Sequence, residues 1–238
     1  MKSTLERINP DDEHEKESGF SLQLHLERYQ FAGKHLKPGL IVDIACGLGY
    51  GSYLLATEYA HKVSNILGID VDQEAIRFAR AKYRHPSIQF IVDDAFTFVP
   101  HKMLDSIVSL ETIEHLRAPG EFIKRISNNL VKGGRFIASV PITPSMDANP
   151  YHLHDFKERQ LKKIFDENGM KEIASMVQVQ PFNPFSIRKG KDRMQEVRKN
   201  IASYYLHHPG KFILRLRSLI SDGFRNKYLV IAFEKYSS

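Results

Sequence analysis

The sequence has a single cysteine, Cys46, among its 238 residues. One thiol cannot form an internal disulfide, so a disulfide-stapled secreted domain is excluded and a reducing, cytoplasmic location is predicted. Long apolar runs are also lacking: no stretch approaches the roughly 20 residues that cross a bilayer. The charged N-terminus has no apolar core of the kind that signal peptides carry. We therefore expect no transmembrane segment.

The composition is that of an ordinary globular domain. Hydrophobic residues make up 42% of the chain and charged residues 26%, which predicts one domain spanning residues 1–238. The formal net charge of +6 permits an anionic partner without requiring one. Residues 1–18 are polar and lack an apolar period, so we interpret them as a loose arm. Residues 19–36 show helical spacing of apolar side chains and predict a helix before the first strand.

The most informative stretch is Leu40–Gly51, which reads LIVDIACGLGYG. A β-branched apolar run followed by closely spaced glycines and a helical pattern predicts the strand, turn and helix that open a βαβ unit. Glycines let the backbone approach a ligand closely, and the helix N-terminus offers unpaired amides. The loop lacks the Lys-Ser/Thr pair of a triphosphate site, but by itself it suits dinucleotides and other nucleosides equally.

Acidic residues follow the next two predicted strands. Asp70 ends the second strand about twenty residues after the glycine loop, where a carboxylate can bind a ribose diol, in NAD enzymes as well as others. Asp72 is better placed to cap the following helix. Asp94 and Ala95 follow a third strand predicted over 87–92 and are candidates for contacting a ligand. Asp93 is the alternative to Asp94 for this contact.

Two further runs predict chemistry near the fourth and fifth strands. Residues 104–110 form a strand that leads into Glu111-x-x-Glu114-His115; on a helical turn these side chains would share a face. Two neighbouring carboxylates need a neutralising cation or proton, and their hard oxygens favour Mg²⁺ or Mn²⁺. Residues 119–130 predict an amphipathic helix that ends before Lys132-Gly133-Gly134, and residues 135–140 predict the fifth strand. After that strand, His152-x-His154 lies in an extended segment, where alternate side chains face the same side.

Taken in order, these motifs resemble the class I S-adenosylmethionine-dependent methyltransferases. Leu40–Gly51 is similar to their motif I, with Ala45 where the first glycine is usual. The Glu-x-x-Glu-His run resembles the metal-binding set of ubiquinone-biosynthesis and small-RNA 2′-O-methyltransferases. Many methyltransferases with this segment bind no metal. An arginine before motif I reaches the cofactor carboxylate in ubiquinone-type enzymes, and Arg28 lies at a comparable place; a solvated arginine on an exposed helix face is the alternative.

The resemblance implies a set of site residues. For S-adenosyl-L-methionine the set is Arg28, Ala45, Cys46, Gly47, Gly49, Asp70, Val71, Asp94, Ala95 and Leu110. For a Mg²⁺ or Mn²⁺ ion it is Glu111, Glu114, His115 and His154. The candidate catalytic residues are His154, His115 and His152, with His154 or His115 preferred as the general base because imidazoles titrate near neutral pH.

The predicted fold is α/β: a Rossmann-like, seven-stranded, mostly parallel sheet with helices on both faces and a helical insertion before the last strand. The insertion, residues 181–225, is basic, contains helical patterns over 191–206 and 210–221, and is interpreted as a substrate cover. A phosphate-bearing substrate, a membrane surface or a partner subunit are the alternatives for it.

The predicted function is methylation of a hydroxyl on a small molecule, natural product or glycan. RNA 2′-O-methylation, N-methylation of a small heterocycle and cofactor binding without catalysis are the alternatives. The absence of a separate RNA-binding domain makes a nucleic-acid partner the weaker choice. The acceptor and the oligomeric state stay open.

Overall fold

A computed structural model describes residues 20–147, 149, 151–181 and 201–236. The predicted N-terminal arm and the first part of the predicted insertion, residues 182–200, therefore lie outside the described residues. Among the described residues, no helix is long and apolar enough to cross a membrane.

Seven strands form one sheet. They are Gly39–Ile44 (β1), Val63–Asp70 (β2), Ile88–Val92 (β3), Leu104–Leu110 (β4), Leu130–Pro141 (β5), Met170–Pro181 (β6) and Arg225–Lys235 (β7). The order across the sheet is β3-β2-β1-β4-β5-β7-β6. The first five strands are parallel, and β7 runs antiparallel to both β5 and β6. The predicted fold class is confirmed.

Helices connect the strands on both faces of the sheet. They are Phe20–His35 (α1), Tyr50–Glu58 (α2), Gln73–Lys82 (α3), Pro119–Ser127 (α4), Glu158–Asp166 (α5), Ile201–His207 (α6) and Pro209–Asp222 (α7). Short 3₁₀ turns occupy Ala60–Lys62 and Ile113–His115. Of the predicted insertion, α6 and α7 are the described part, and both precede β7.

The core is divided between the two faces because side chains alternate along each strand. On β5, Phe136 and Ala138 pack with Phe122 of α4 and Phe165 of α5, and the rings of Phe136 and Phe165 meet edge to face. The intervening Ile137 points to the other face, among residues of α1 and α2. Both helical layers thus bury strand side chains, as a doubly wound sheet requires.

Two local predictions were wrong. The helix predicted over 119–130 ends at Ser127, and the segment containing Lys132-Gly133-Gly134 belongs to β5, where the register against β4 shifts. Gly134 fits this irregularity, since a Cβ there would lie 2.7 Å from the Val131 carbonyl oxygen. The run after β4 is not a helical turn from its first residue: Glu111 has a left-handed φ of 52°, and the 3₁₀ turn begins only at Ile113.

Candidate active site

The loop after β1 forms an open cradle at the carboxyl edge of the sheet. Gly47 and Gly49 have φ values of 56° and 84°, and Ala45, at the position of the missing glycine, also has a positive φ of 58°. A Cβ on Gly49 would lie 2.7 Å from Ala79 and Phe90, so glycine there permits close packing of the loop. A Cβ on Gly47 would meet no atom within 4 Å. Backbone at Gly47 therefore faces open space in which a ligand can approach.

Asp70, at the end of β2, connects this loop with the next turn. One carboxylate oxygen accepts the Gly47 amide at 2.9 Å and the other accepts the Asp72 amide at 2.9 Å. Each oxygen of a carboxylate can accept more than one hydrogen bond, so these two bonds are compatible with binding a ribose diol. Val71 beside it is 69% exposed, as expected for a side chain on a ligand-facing turn. Asp72 caps α3 by accepting from the amides of Glu74 and Ala75, which confirms its structural assignment.

Asp43, the acidic residue inside β1, is buried just before the loop, and its hydrogen bonds stabilise this region. Ser52 donates to it at 2.6 Å and the Tyr29 hydroxyl at 3.3 Å. Burial raises the pKa of Asp43 to about 7 against these hydrogen bonds, and the charge of Asp70 adds to the increase.

The turn after β3 contains Asp94 and Ala95, a pair predicted to bind the cofactor. Asp94 is exposed, and its side chain accepts the Phe96 amide at 2.7 Å. The Ala95 carbonyl accepts from Arg125 of α4 at 2.8 Å, which fixes the turn. Asp93 accepts the Asp94 amide and so shapes the same turn. Leu110, another predicted cofactor residue, is buried at the end of β4, and Cys46 is buried in the first loop.

Arg28 of α1 is only 2% exposed, so the alternative of a solvated surface arginine is wrong. Its Nε donates to Gln178 of β6 at 2.7 Å, and a terminal nitrogen lies 3.4 Å from a Glu111 oxygen. The guanidinium also stacks on the Tyr228 ring, 4.4 Å from its centroid. Burial, with the nearby Glu111 carboxylate, raises the pKa of Tyr228 to about 12. A role of Arg28 toward a cofactor carboxylate stays a prediction.

The two glutamates of the Glu-x-x-Glu-His run lie in different surroundings. Glu111 accepts from the Ser139 hydroxyl of β5 at 2.7 Å and pairs with Arg28. Glu114 is fully buried on the 3₁₀ turn. Glu111 is not part of the group that forms around Glu114, and its left-handed φ agrees with this, because the three-residue spacing brings side chains together only on a continuous helix.

A compact group of three side chains forms instead around the 3₁₀ turn. Ligand atoms of Glu114, His115 and His152 all lie within 4.8 Å of one another, and the two imidazole rings meet edge to face at 4.7 Å. The Tyr151 carbonyl lies 3.1 Å from Nδ1 of His115. A carbonyl only accepts, so Nδ1 carries the proton and Nε2 is left as the basic nitrogen.

His152 and His154 are both half-buried while their neighbours Tyr151 and Leu153 are exposed, as the alternation predicts. Burial, together with the adjacent His115, lowers the pKa of His152 to about 4, against the effect of Asp155. His152 is therefore neutral near pH 7, suited to binding an ion but a weak base. Nε2 of His154 donates to the Leu116 carbonyl at 2.9 Å, which directs this nitrogen away from the group.

Gln178, Tyr228 and Ser139, which contact the candidate residues Arg28 and Glu111, are neighbours of the candidate site that reasoning from the sequence missed. They lie on β6, β7 and β5 and carry no local motif. Only their inward position on a strand, together with the predicted place of Arg28, could have drawn attention to them.

Residues 42–138 match the model of a family described as a methyltransferase domain. The match covers 97 of the 238 residues and supports the superfamily predicted from the motifs. The specific resemblance to O-methyltransferases is not confirmed by it.

Among individual relatives, a Mycolicibacterium smegmatis protein named "Probable S-adenosylmethionine-dependent methyltransferase" is 28% identical over 54% of the chain and 51% of its own length. A Mycobacterium tuberculosis protein of the same description is 24% identical over 72% of the chain and 62% of its length. A phosphoethanolamine N-methyltransferase of Triticum aestivum is 28% identical over 57% of the chain but 29% of its length. The chain thus spans about half to three-fifths of the length of these mycobacterial relatives.

Solved structures share the fold. A Bacillus halodurans protein provisionally called a methyltransferase aligns with a TM-score of 0.69 at 16% identity, over 89% of this chain and 99% of that one. The [4+2]-cyclase SpnF aligns with a TM-score of 0.63 at 16% identity, over 91% and 83%. A fold shared with a cyclase cannot by itself assign a reaction, so the reaction has to be argued from the site.

Proposed function

We propose that this chain transfers a methyl group from S-adenosyl-L-methionine to a hydroxyl of a small molecule, natural product or glycan. The observation that carries the proposal is that a cradle for the cofactor and a group of candidate catalytic side chains lie at the same edge of the sheet. The open cradle at Gly47 lies beside Asp70, and the Glu114, His115 and His152 group follows β4 and β5 at the same edge. Open α/β sheets bind ligands at this edge.

In this proposal the cofactor occupies the cradle. Asp70 binds the ribose hydroxyls, the Gly47 backbone lies against the ligand, and the turn at Asp94 and Ala95 faces the adenine. Arg28 binds the carboxylate of the methionine part from the buried position that Gln178 and Tyr228 give it. The sulfonium supplies an electrophilic methyl carbon, so the residues around it have to align the acceptor and take up its proton.

His115 is the general base that the geometry favours. Its Nδ1–H donates to the Tyr151 carbonyl, so in the neutral imidazole Nε2 is the basic nitrogen, and the ring lies beside Glu114 and His152. His154, preferred equally from the sequence, uses Nε2 to donate to Leu116. It could act only through Nδ1, so we place it in the wall of the acceptor site.

A more specific form of the same proposal adds a divalent cation to the site. Glu114, His115 and His152 would hold it, in place of the predicted set that included Glu111 and His154. Their mixed carboxylate and imidazole donors fit Mn²⁺ better than Mg²⁺. The hydrogen bond from His115 to a backbone carbonyl is the outer contact that metal-binding histidines usually make. Such an ion would acidify a bound hydroxyl.

We propose further that α6 and α7 cover the acceptor site within a single domain. Lys211 contacts Asp155 at 2.6 Å, and Arg215 contacts Asp147 and the Pro144 carbonyl, each at 2.6 Å. Both acids lie on the segment between β5 and α5 that also carries His152 and His154.

We propose a cytoplasmic location for the chain. Cys46 is buried and is the single cysteine of the sequence, which agrees with a reducing compartment.

N-methylation is the second candidate, favoured by the names of relatives such as the phosphoethanolamine N-methyltransferases. The test incubates the purified chain with labelled S-adenosylmethionine and a panel of catechols, hexosides, phosphoethanolamine and short RNAs. Mass spectrometry of the product identifies the methylated atom. Methylation of catechol or hexoside hydroxyls alone supports the proposal. Methylation of RNA hydroxyls contradicts it, and methylation of amines alone replaces it with the second candidate.

Variants separate the base from the ion. We expect His115→Asn and Glu114→Gln to reduce turnover at least about a hundredfold, while calorimetry with S-adenosylhomocysteine shows unchanged affinity. The exposed His101→Asn serves as the matched control. Loss of activity with a chelator and recovery with Mn²⁺ support the ion; activity that ignores the chelator but requires His115 leaves the imidazole as a simple base.

A further inference from the structure

Helix α7 contacts the rest of the protein through its charged face. Lys211 and Arg215 are one turn apart and reach Asp155 and Asp147, and Tyr205 of α6 also donates to Asp147. Toward the end of the helix, Asp222 pairs with Lys227 of β7. These polar residues share one side of a helix with 3.6 residues per turn.

The opposite side of α7 is apolar and solvent-exposed in the part of the chain that the structure describes. Phe212, Ile213 and Leu216 are each about half exposed, and Ile220 is 78% exposed. Their spacing places them on one stripe about 100° wide, turned away from Lys211 and Arg215. This is the reverse of an ordinary surface helix, which buries its apolar face in the core. We call these four residues the α7 stripe.

Positive charge is concentrated in the segment of the sequence that contains this stripe. Residues 201–227 contain 5 Lys and Arg against 1 Asp, a net charge of +4, and the whole chain has +6. Arg217, exposed on α7 next to the stripe, and Arg225, exposed at the start of β7, belong to this basic segment.

We propose that the α7 stripe docks the protein on the surface of an anionic lipid bilayer. An exposed apolar stripe on a basic segment, with Arg217 beside it, fits a helix that lies in the plane of a membrane interface, with its apolar side chains among the acyl chains. Basic residues near the stripe then attract anionic headgroups. A second copy of the chain fits less well, because a symmetric contact through the stripe would bring together two copies of a segment, residues 201–227, whose net charge is +4.

Docking through the stripe also orients the rest of the molecule. The ion pairs of Lys211 and Arg215 join α7 to the segment that carries His152 and His154. A docked helix therefore holds the mouth of the candidate active site close to the lipid surface. The proposal stands on the stripe and the charge alone and does not depend on the proposed reaction.

The test is flotation of the full chain with vesicles. One set contains phosphatidylcholine only, and the other equal parts of phosphatidylcholine and phosphatidylglycerol. We expect the wild-type chain to float with the anionic set at 50 mM NaCl, and much less at 500 mM because salt screens the attraction. The double variant Phe212→Ser/Ile220→Ser should partition at least about tenfold less, since two apolar side chains no longer enter the interface.

The matched control is Ile173→Ser/Val177→Ser, which removes two exposed apolar side chains from β6 and should float as the wild type does. Equal flotation of wild type and stripe variant would overturn the proposal, as would binding that ignores vesicle charge. A wild-type dimer in sedimentation that the stripe variant dissociates would assign the stripe to a second copy. A large fall in the urea midpoint of the stripe variant would assign it to the protein's own interior.

Discussion

The buried carboxyl of Asp43 predicts a pH-dependent contribution to stability. Burial raises its pKa from 3.8 to about 7 in the folded chain. Between these values the folded state holds a proton that the unfolded state has lost, so stability falls as pH rises toward 7. Integrated from pH 5 to pH 8, this single group removes about 2.5 kcal/mol from the free energy of unfolding. The isosteric Asp43→Asn variant cannot titrate and should not show this loss.

The measurement is urea unfolding followed by circular dichroism at pH 5 and pH 8. The free energy of unfolding is expected to fall by about 2 kcal/mol per molar urea. The difference between the urea midpoints of the wild type and of Asp43→Asn should therefore change by about 1 M between the two pH values. Comparing the two chains removes the contributions of all other titrating groups. Asp166→Asn, at an exposed position on α5, is the control and should keep a constant gap. A constant gap for Asp43→Asn as well would refute the reasoning.

Further predictions concern the cradle, the cover and Glu111. Gly47→Val should lower affinity for S-adenosylhomocysteine at least about tenfold in calorimetry, because its side chain fills the cradle at a φ of 56°; Gly120→Val, where a Cβ also meets open space, should bind normally. Arg215→Gln leaves the Asp147 carboxylate without its cation and should weaken the attachment of α7 by about 3 kcal/mol, seen as faster proteolysis there; unchanged proteolysis contradicts it. Glu111→Gln should slow turnover less than tenfold, since Glu111 lies with Arg28 outside the histidine group; a loss equal to that of Glu114→Gln would restore Glu111 to the chemistry.

The succession of elements followed from the sequence because it depends on local patterns. The β-branched run over 40–44, the glycines after it and the helical period from Tyr50 are each contained within a few residues. The same holds for Asp72, whose capping role is a matter of neighbours two and three positions away. The parallel sheet then follows, because strands alternating with helices pair in only a few ways.

The composition of the site was decided by tertiary structure. Arg28 is buried by a glutamine 150 positions away, which no local pattern can indicate. A left-handed backbone at Glu111 sends its carboxylate to Ser139 and leaves Glu114 with the histidines. Among those, the Leu116 carbonyl turns His154 away from the group. Spacing along the chain restricts which side chains can meet; contacts between distant strands and loops determine which of them do.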